Sequence, residues 1–355
     1  MPSQLLHTLF GEDVSAETYK LLKTRMGEER FDTAAKKVLE DIQNTHKKMF
    51  ALGCQGPDIF YHSQVRRPVG LEYGTLLHRR GVGTLTALLL KTCIPDKKKS
   101  DDALRVYIMG FMTHAILDRE AHPYIVYKSD RPPPETKLER SHAFFERIID
   151  VLMLKHLRGA EIISWDQDGM LSESCKKAPA ALKELLHSTL VQAYPERAGK
   201  DDKLKDRIEN TFLDCAEFYH LTAPANTMVK KPVKRTFAIK KGHVAYLYPE
   251  ELPTHIDFLN MKKRPWYYPA GESKEDTRSF PEIYCDAVNL ASDSLLNIIV
   301  RSLEHGNLPI EEAAAFIGNG GLSIVDENGK PCALTRTEPL PLGEVLDEQA
   351  AMRKI

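Results

Sequence analysis

The sequence predicts a mainly α-helical body carrying a β-hairpin-containing insertion and a C-terminal appendage. Three observations lead there. Apolar residues recur at three- and four-residue spacing through the first two-thirds of the chain. After Pro224 the pattern shifts to alternating β-formers with Lys-Gly and Asn-Gly turns. A long amphipathic stretch, SFPEIYCDAVNLASDSLLNIIVRSL, then returns to helical spacing.

Taken in order, Phe31, Val38, Ile42 and Met49 form one apolar stripe, closed by the Gly/Pro-rich LGCQGPD. In GTLLHRRGVGTL, His78 shares a helical face with Val82, Leu85 and Leu89, which points it inward. Leu104, Tyr107 and Phe111 begin the next stripe, and three- and four-residue steps from Phe111 land on His114 and Asp118. Pro123 disfavours helix at the preceding residue, so that helix is expected to end at His122. SDRPPPET reads as a loop, and Thr136 with Glu139 makes a capping box opening the next helix. His142, Phe145, Ile149 and Leu152 share one face of it. Helices follow over Ala180–Ala193 and Asp202–Tyr219. TFAIKKGHVAYLYP is expected to be a hairpin turning at Lys241-Gly242, and GLSIVDENGKPCAL another turning at Asn328-Gly329. Between them lies a helix over Pro281–Leu303. The expected organisation is a helical domain over 1–225, a β-containing insertion over 226–280, a helix over 281–305 packing back on the bundle, and a C-terminal extension with a hairpin over 306–355.

Composition narrows the function classes. The chain has 355 residues, 42% hydrophobic and 28% charged, with a net charge of −1. That balance gives no global attraction to nucleic acid or anionic membrane. No apolar run approaches the roughly 20 residues of a membrane span. MPSQLLHTLFGEDVS lacks a basic start and an apolar signal core, so the expected location is cytoplasmic. The six cysteines form no Cys-x-x-Cys pair, which argues for free thiols and against a thiolate zinc site.

The chemistry-bearing residues stand out against this background. GFMTHAILDREAHPYI is among the most apolar stretches, yet it places His114, Asp118 and His122 four residues apart. Residues at that spacing share a helix face and can share one metal ion. His142 and Glu146 repeat the spacing on a separate helix. Inward His78 adds to the set, as does Asp58, presented by Gly56 and Pro57, and His7, in an apolar N-terminal segment. A lone histidine on an apolar face is more often a satisfied core residue than a ligand. Several inward histidines with two paired carboxylates point instead to a metal site in a helical bundle. Imidazole and carboxylate without thiolate suit zinc, and manganese or iron are also compatible.

The order HTLFGED, GPDIFYH, LLH, GFMTHAILDREAHPYI, SHAFFE resembles the zinc-dependent phospholipase C family over residues 1–225. WYYP followed by SFPEIYCDAVNLA resembles the C-terminal part of its cytoplasmic bacterial members. Single-strand-specific nucleases are more distant relatives. The resemblance implies a phospholipase C-like helical bundle holding two or three Zn2+ ions. It implies one ion on Asp58, His78, His114 and Asp118, and a second on His122, His142 and Glu146. A third would sit on His7, on Asp118 as a bridge, and on the chain's own N-terminus. The secreted enzymes have an N-terminal tryptophan there, and this chain begins Met1-Pro2. The Asp118 to His122 spacing is also shorter than in those enzymes. The implied function is hydrolysis of a small-molecule or lipid phosphodiester by metal-activated water, with Asp58 as ligand or as general base. Alternatives on the same site are a single-strand nuclease or nucleotidase, with nucleic acid as partner, or a non-catalytic metal-bound scaffold.

Four secondary features remain, two of them with two readings. Phe60, Tyr61, Trp266, Tyr267 and Tyr268 read first as packing residues and second as a choline box. VKKPVKRTFAIKK reads first as a lysine-protected hairpin edge and second as a face for anionic membrane or polyphosphate. Trp165–Gly169 reads as a turn, lacking the distal glutamate of a calcium loop. His62, close to Asp58, is a candidate pocket residue.

Overall fold

The computed structural model describes residues 4–26, 37, 40–93, 102–131, 140–228, 241–272, 274–305 and 309–353. Its helices are α1 (Gln4–Met26), α2 (Lys47–Cys54), α3 (Leu71–Arg79), α4 (Val82–Cys93), α5 (Asp102–Ser129) and α6 (Ser141–Arg158). They continue as α7 (Ala180–Ala193), α8 (Leu204–Thr222), α9 (Phe280–His305), α10 (Ile310–Ile317) and α11 (Leu342–Met352). The mainly α fold class holds. Within the described residues the one sheet is the two-residue strands β1 (Trp266–Tyr267) and β2 (Glu275–Asp276), antiparallel with Trp266 opposite Asp276.

α5 is the central strut. α2 crosses it closely enough that a Cβ on Gly53 would lie 2.1 Å from the Tyr107 carbonyl oxygen, and one on Gly110 would lie 2.5 Å from that of Phe50. Only glycine permits this approach, and it delivers the C-terminus of α2 to the middle of α5. α1, α6 and α9 also pack on α5, and α10 lies along α4. A single apolar core runs from Leu6 on α1 through Phe111, Phe145 and Tyr284 to Val345 on α11. Phe280–Arg301 is long and apolar enough by composition to cross a membrane, but it packs against α1 and α5 and its apolar window is 56% buried.

Several sequence expectations are corrected. α5 does not end at His122 but continues through Pro123 to Ser129. Every residue from Ala121 to Ser129 is buried, so packing outweighs the hydrogen bond that proline removes. The inward face read from His78 to Leu89 is not one helix. α3 stops at Arg79, Arg80 is extended, and α4 starts at Val82, leaving His78 on the last turn of α3. Of the hairpin expected at Lys241-Gly242, residues 236–240 lie outside the described ones, and Lys241–Tyr246 is a 3-10 turn. The strand pair of the insertion lies instead at β1 and β2. The Asn328-Gly329 hairpin is present, with Val325 bridging Pro331 and Gly329 at φ 72°. Phe31, Val38, the Thr136/Glu139 capping box and residues 229–240 of the basic run lie outside the described residues.

Candidate metal centre

The two i,i+4 pairs, Asp58, His78 and His122 converge as two clusters. In the first, Asp58, His78, His114 and Asp118 each place a ligand atom within 4.8 Å of the others. Asp58 comes from the 3-10 turn Gly56–His62, His78 from the end of α3, and His114 and Asp118 from successive turns of α5. His78 Nε2 lies 2.9 Å from Asp58 Oδ1 and 3.5 Å from Asp118 Oδ2. His114 Nε2 lies 3.3 Å from Asp118 Oδ2 and 3.6 Å from Asp58 Oδ2. The second cluster is His122, His142 and Glu146. His142 Nε2 is 3.0 Å and His122 Nε2 3.6 Å from Glu146 Oε1.

The outer nitrogens of all four rings are spoken for. His78 Nδ1 meets the Gly74 carbonyl at 2.7 Å, and His114 Nδ1 meets that of Cys54 at 3.1 Å, the carbonyl brought in by the α2–α5 crossing. His122 Nδ1 meets the Leu322 carbonyl at 2.8 Å, and His142 Nδ1 the Asp130 carboxylate at 3.3 Å. An oxygen acceptor at Nδ1 requires a proton there, which leaves Nε2 as the nitrogen that takes a metal ion or a second proton. Metal-ligating histidines are oriented in the same way, by an oxygen acceptor on the nitrogen that faces away from the metal.

Electrostatics agree. Burial works against charge on His78, but Asp118 and Asp58 overcome it and draw its pKa up to about 9. Burial likewise opposes charge on His142, and Glu146 and Asp130 overcome it, again to about 9. His114 is also raised, against its burial, by Asp118 and Asp58. Burial would raise the Asp118 carboxyl, but His122, His114 and His7 hold it well below the usual range. The carboxylates therefore attract positive charge to Nε2, as a proton or as a metal ion. Asp58 Oδ1, His78 Nε2, His114 Nε2 and Asp118 Oδ2 are buried and, although within ion-pair distance of one another, make no aligned hydrogen bond. Buried polar atoms without a hydrogen bond are rare, and four on one point fit a cation held by two nitrogens and two oxygens.

His7 is brought to the same place. Its Nε2 lies 3.2 Å from Asp118 Oδ1, and its ring stacks on His114 with centroids 4.1 Å apart. The N-terminus, the other ligand expected for a third ion, lies outside the described residues. Buried Asp150 fixes the register of α1 by accepting from Leu5 N–H at 3.4 Å and Leu6 N–H at 2.7 Å. Tyr248, from the insertion, donates to Asp150 at 3.2 Å.

The C-terminal segment also reaches the site, which the sequence did not signal. Leu322 N–H donates to the His78 carbonyl at 2.9 Å, while its own carbonyl accepts from His122. One residue thus ties the two clusters. Arg119, one turn before His122, holds this strap by donating to the carbonyls of Ile317, Gly318 (2.8 Å) and Gly320 (3.2 Å).

A cleft of about 350 Å3 opens beside the clusters, walled by Tyr61, His78, Val126, Asp130, Ile324 and Leu334 among others. Of the aromatic candidates, only Tyr61 lines it. Phe60 is in the core, and Trp266 is buried against Tyr124 and Tyr127. Tyr268 donates to the Val325 carbonyl, and Tyr267 pairs with Glu275. His62 stacks on Phe218 at 4.0 Å and is absent from the cleft wall. The Trp165–Gly169 turn is an ordinary one, with Asp166 accepting from Gly169 N–H and Asp168 paired to His220.

The model of the zinc dependent phospholipase C family matches residues 29–202. Over that stretch the chain belongs to this family. The zinc-dependent phospholipase C region contains seven of the eight candidate ligands; His7 precedes it, and Leu322 and Tyr248 follow it. No curated protein and no solved structure matches the chain. Family membership and the two clusters together support zinc as the metal.

Proposed function

We propose that this protein is a zinc-dependent phosphoesterase that cleaves a phosphodiester with water as the nucleophile. The observation that carries the reading is the set of buried Nε2 and carboxylate atoms without an aligned hydrogen bond, beside an open cleft in a zinc-dependent phospholipase C region. Bound zinc supplies positive charge that polarises a phosphoryl oxygen and lowers the pKa of water. His78, His114 and Asp118 would hold one ion, and His122, His142 and Glu146 another, with His7 at the Asp118 edge of the first. Asp58 has two roles open to it. Its Oδ1 lies 2.9 Å from His78 as a co-ligand would, and it is also a carboxylate oxygen able to accept the proton of an attacking water. Tyr61, Val126 and Ile324 give the cleft an apolar side that excludes water from the ester. Cys54, Cys175, Cys215, Cys285 and Cys332 are free thiols, in keeping with a reducing compartment such as the cytoplasm.

The test is zinc content per chain together with turnover of bis(p-nitrophenyl) phosphate. Wild-type protein is expected to hold at least two zinc ions and to release nitrophenol. His114→Ala is expected to lose one ion and the activity. A fully active, fully loaded His114→Ala protein would refute the assignment. Full metal without turnover on any phosphodiester or phosphomonoester favours the non-catalytic scaffold.

A further inference from the structure

The small cleft beside the candidate metal centre adjoins a second cleft of about 1050 Å3, and Thr75, Arg79 and Pro331 line both. The outer cleft is basic. Arg79, Arg80, Arg197 and Lys330 line it against one carboxylate, Glu72. Glu72 is already engaged, by ion pairing with Arg197 and at 3.6 Å from Arg207. Arg79, Arg80 and Lys330 have no carboxylate partner among the described residues.

The backbone beneath these cations is fixed. Tyr194 donates to the Arg80 carbonyl at 2.6 Å, and Gly81 N–H donates to the Asn319 carbonyl at 2.9 Å. Lys330 sits in the C-terminal hairpin, where its N–H donates to the Asp326 carboxylate and its carbonyl accepts from Asp326 N–H at 2.8 Å. Cations on a pre-set scaffold, adjoining the cleft beside the candidate metal centre, suit an anion better than a quaternary ammonium. Guanidinium groups in particular match phosphate and carboxylate oxygens two at a time.

We propose that this outer cleft is a subsite for a second anionic group, a phosphate or carboxylate, carried by the substrate beyond its scissile phosphodiester. The location of the scissile bond rests on the phosphoesterase reading above; the anion preference of the cleft does not. Lys330 lies outside the family-matched stretch, so this preference is supplied partly by the C-terminal extension.

The test uses the full zinc-loaded protein and three soluble diesters: glycerophosphoglycerol phosphate, glycerophosphoglycerol and glycerophosphocholine. We expect kcat/KM to be about tenfold higher for the first than for the second, a gap equal to one decade in binding, with the choline ester lowest. The triple variant Arg79→Gln/Arg80→Gln/Lys330→Gln should keep its zinc and bring the first ratio to near one. Phosphatidylglycerol phosphate in vesicles, run beside its deacylated form, assigns the anion to a lipid or a soluble substrate by whichever turns over faster. Equal kcat/KM for the charged and uncharged esters in wild type, or an unchanged ratio in the triple variant, overturns the proposal. If no ester is cleaved, binding decides it. Glycerol 1,3-bisphosphate binding about tenfold tighter than glycerol 3-phosphate, only with the three cations present, upholds the subsite while the phosphoesterase reading falls. Equal binding refutes the subsite.

Discussion

Arg119→Ala tests whether the C-terminal strap sets the metal centre. In the native structure the Arg119 guanidinium donates to three backbone carbonyls, of Ile317, Gly318 and Gly320. A hydrogen bond to a charged group contributes about 1.5–3 kcal/mol net. Arg119 is only half-buried and its three bonds act as a unit, so simple addition overstates the loss. About 2–4 kcal/mol of strap docking is the expected cost, from the same per-bond range discounted for exposure. The consequence reaches the second cluster through Leu322, whose carbonyl at 2.8 Å is the nearer of two acceptors at His122 Nδ1, the other being the Asp118 carbonyl at 3.0 Å. Loss of an outer-shell partner weakens metal binding by about 10–100-fold. The assay is release of zinc to a chromogenic chelator, which separates tight from weak equivalents. In Arg119→Ala one equivalent should transfer at about 10–100-fold lower chelator concentration, and the other should be nearly unmoved, because His78 and His114 keep the Gly74 and Cys54 carbonyls. Arg119→Lys, which keeps the charge but not the planar fork, should recover part of the loss. Unchanged release of both equivalents from Arg119→Ala would refute the coupling.

Three further outcomes follow from the same geometry. Gly56→Ala should weaken zinc binding and lower the melting temperature, because its Cβ would lie 2.4 Å from His114 Cγ and its φ of +53° alone costs about 1–2 kcal/mol; an alanine variant with wild-type zinc affinity contradicts this. His78 and His142, both drawn up to about 9, stabilise the zinc-free fold as cations below about pH 6.5. That contribution fades as pH rises to about 9, and zinc must displace the protons in between. Zinc affinity should therefore climb from pH 6.5 to 8.5 with measurable proton release, and a flat profile would show the rings to be neutral without metal. His62 is buried with its pKa pushed down to about 3, so it must stay neutral in the fold. Its contribution to stability is lost as pH falls from about 6.5 toward 3, by up to ~2 kcal/mol at pH 5. His62→Phe should lose less stability than wild type between pH 7 and pH 5 in denaturant titrations; equal losses would sink the assignment.

What the sequence disclosed, it disclosed through side chains out of place. His114 and Asp118 continue an apolar stripe, and polar groups there need partners, so the structure's convergence of Asp58, His78, His114 and Asp118 was foreshadowed by residue type and period. α7 spans Ala180–Ala193, the stretch expected to be helical. The missed features are those made by backbone atoms or by tertiary packing. Nothing in the letter L at position 322 signals that its peptide donates to His78 and accepts from His122. The break between α3 and α4 was hidden because Val82, Leu85 and Leu89 keep an apolar rhythm across Gly81. The helix through Pro123 was hidden for the opposite reason, since local preference argued for an end that burial on all sides overrode.

The proline and the strap belong to one argument. Pro123 has no N–H, so the turn of α5 that spans Arg119 to Pro123 lacks one of its hydrogen bonds. That turn holds His122 of the second cluster and follows directly on Asp118 of the first, and weakness there would blur the distance between them. The structure places its external ties on this turn: Arg119 reaches outward to the strap carbonyls, and Leu322 reaches back to His122. Leu322 then continues to His78, so the strap spans from the weakened turn to the far side of the first cluster. A chain cut after the family-matched region would keep all eight candidate ligands but lose this tie. The C-terminal segment is therefore part of the candidate metal centre in the physical sense, holding candidate ligands that other elements supply.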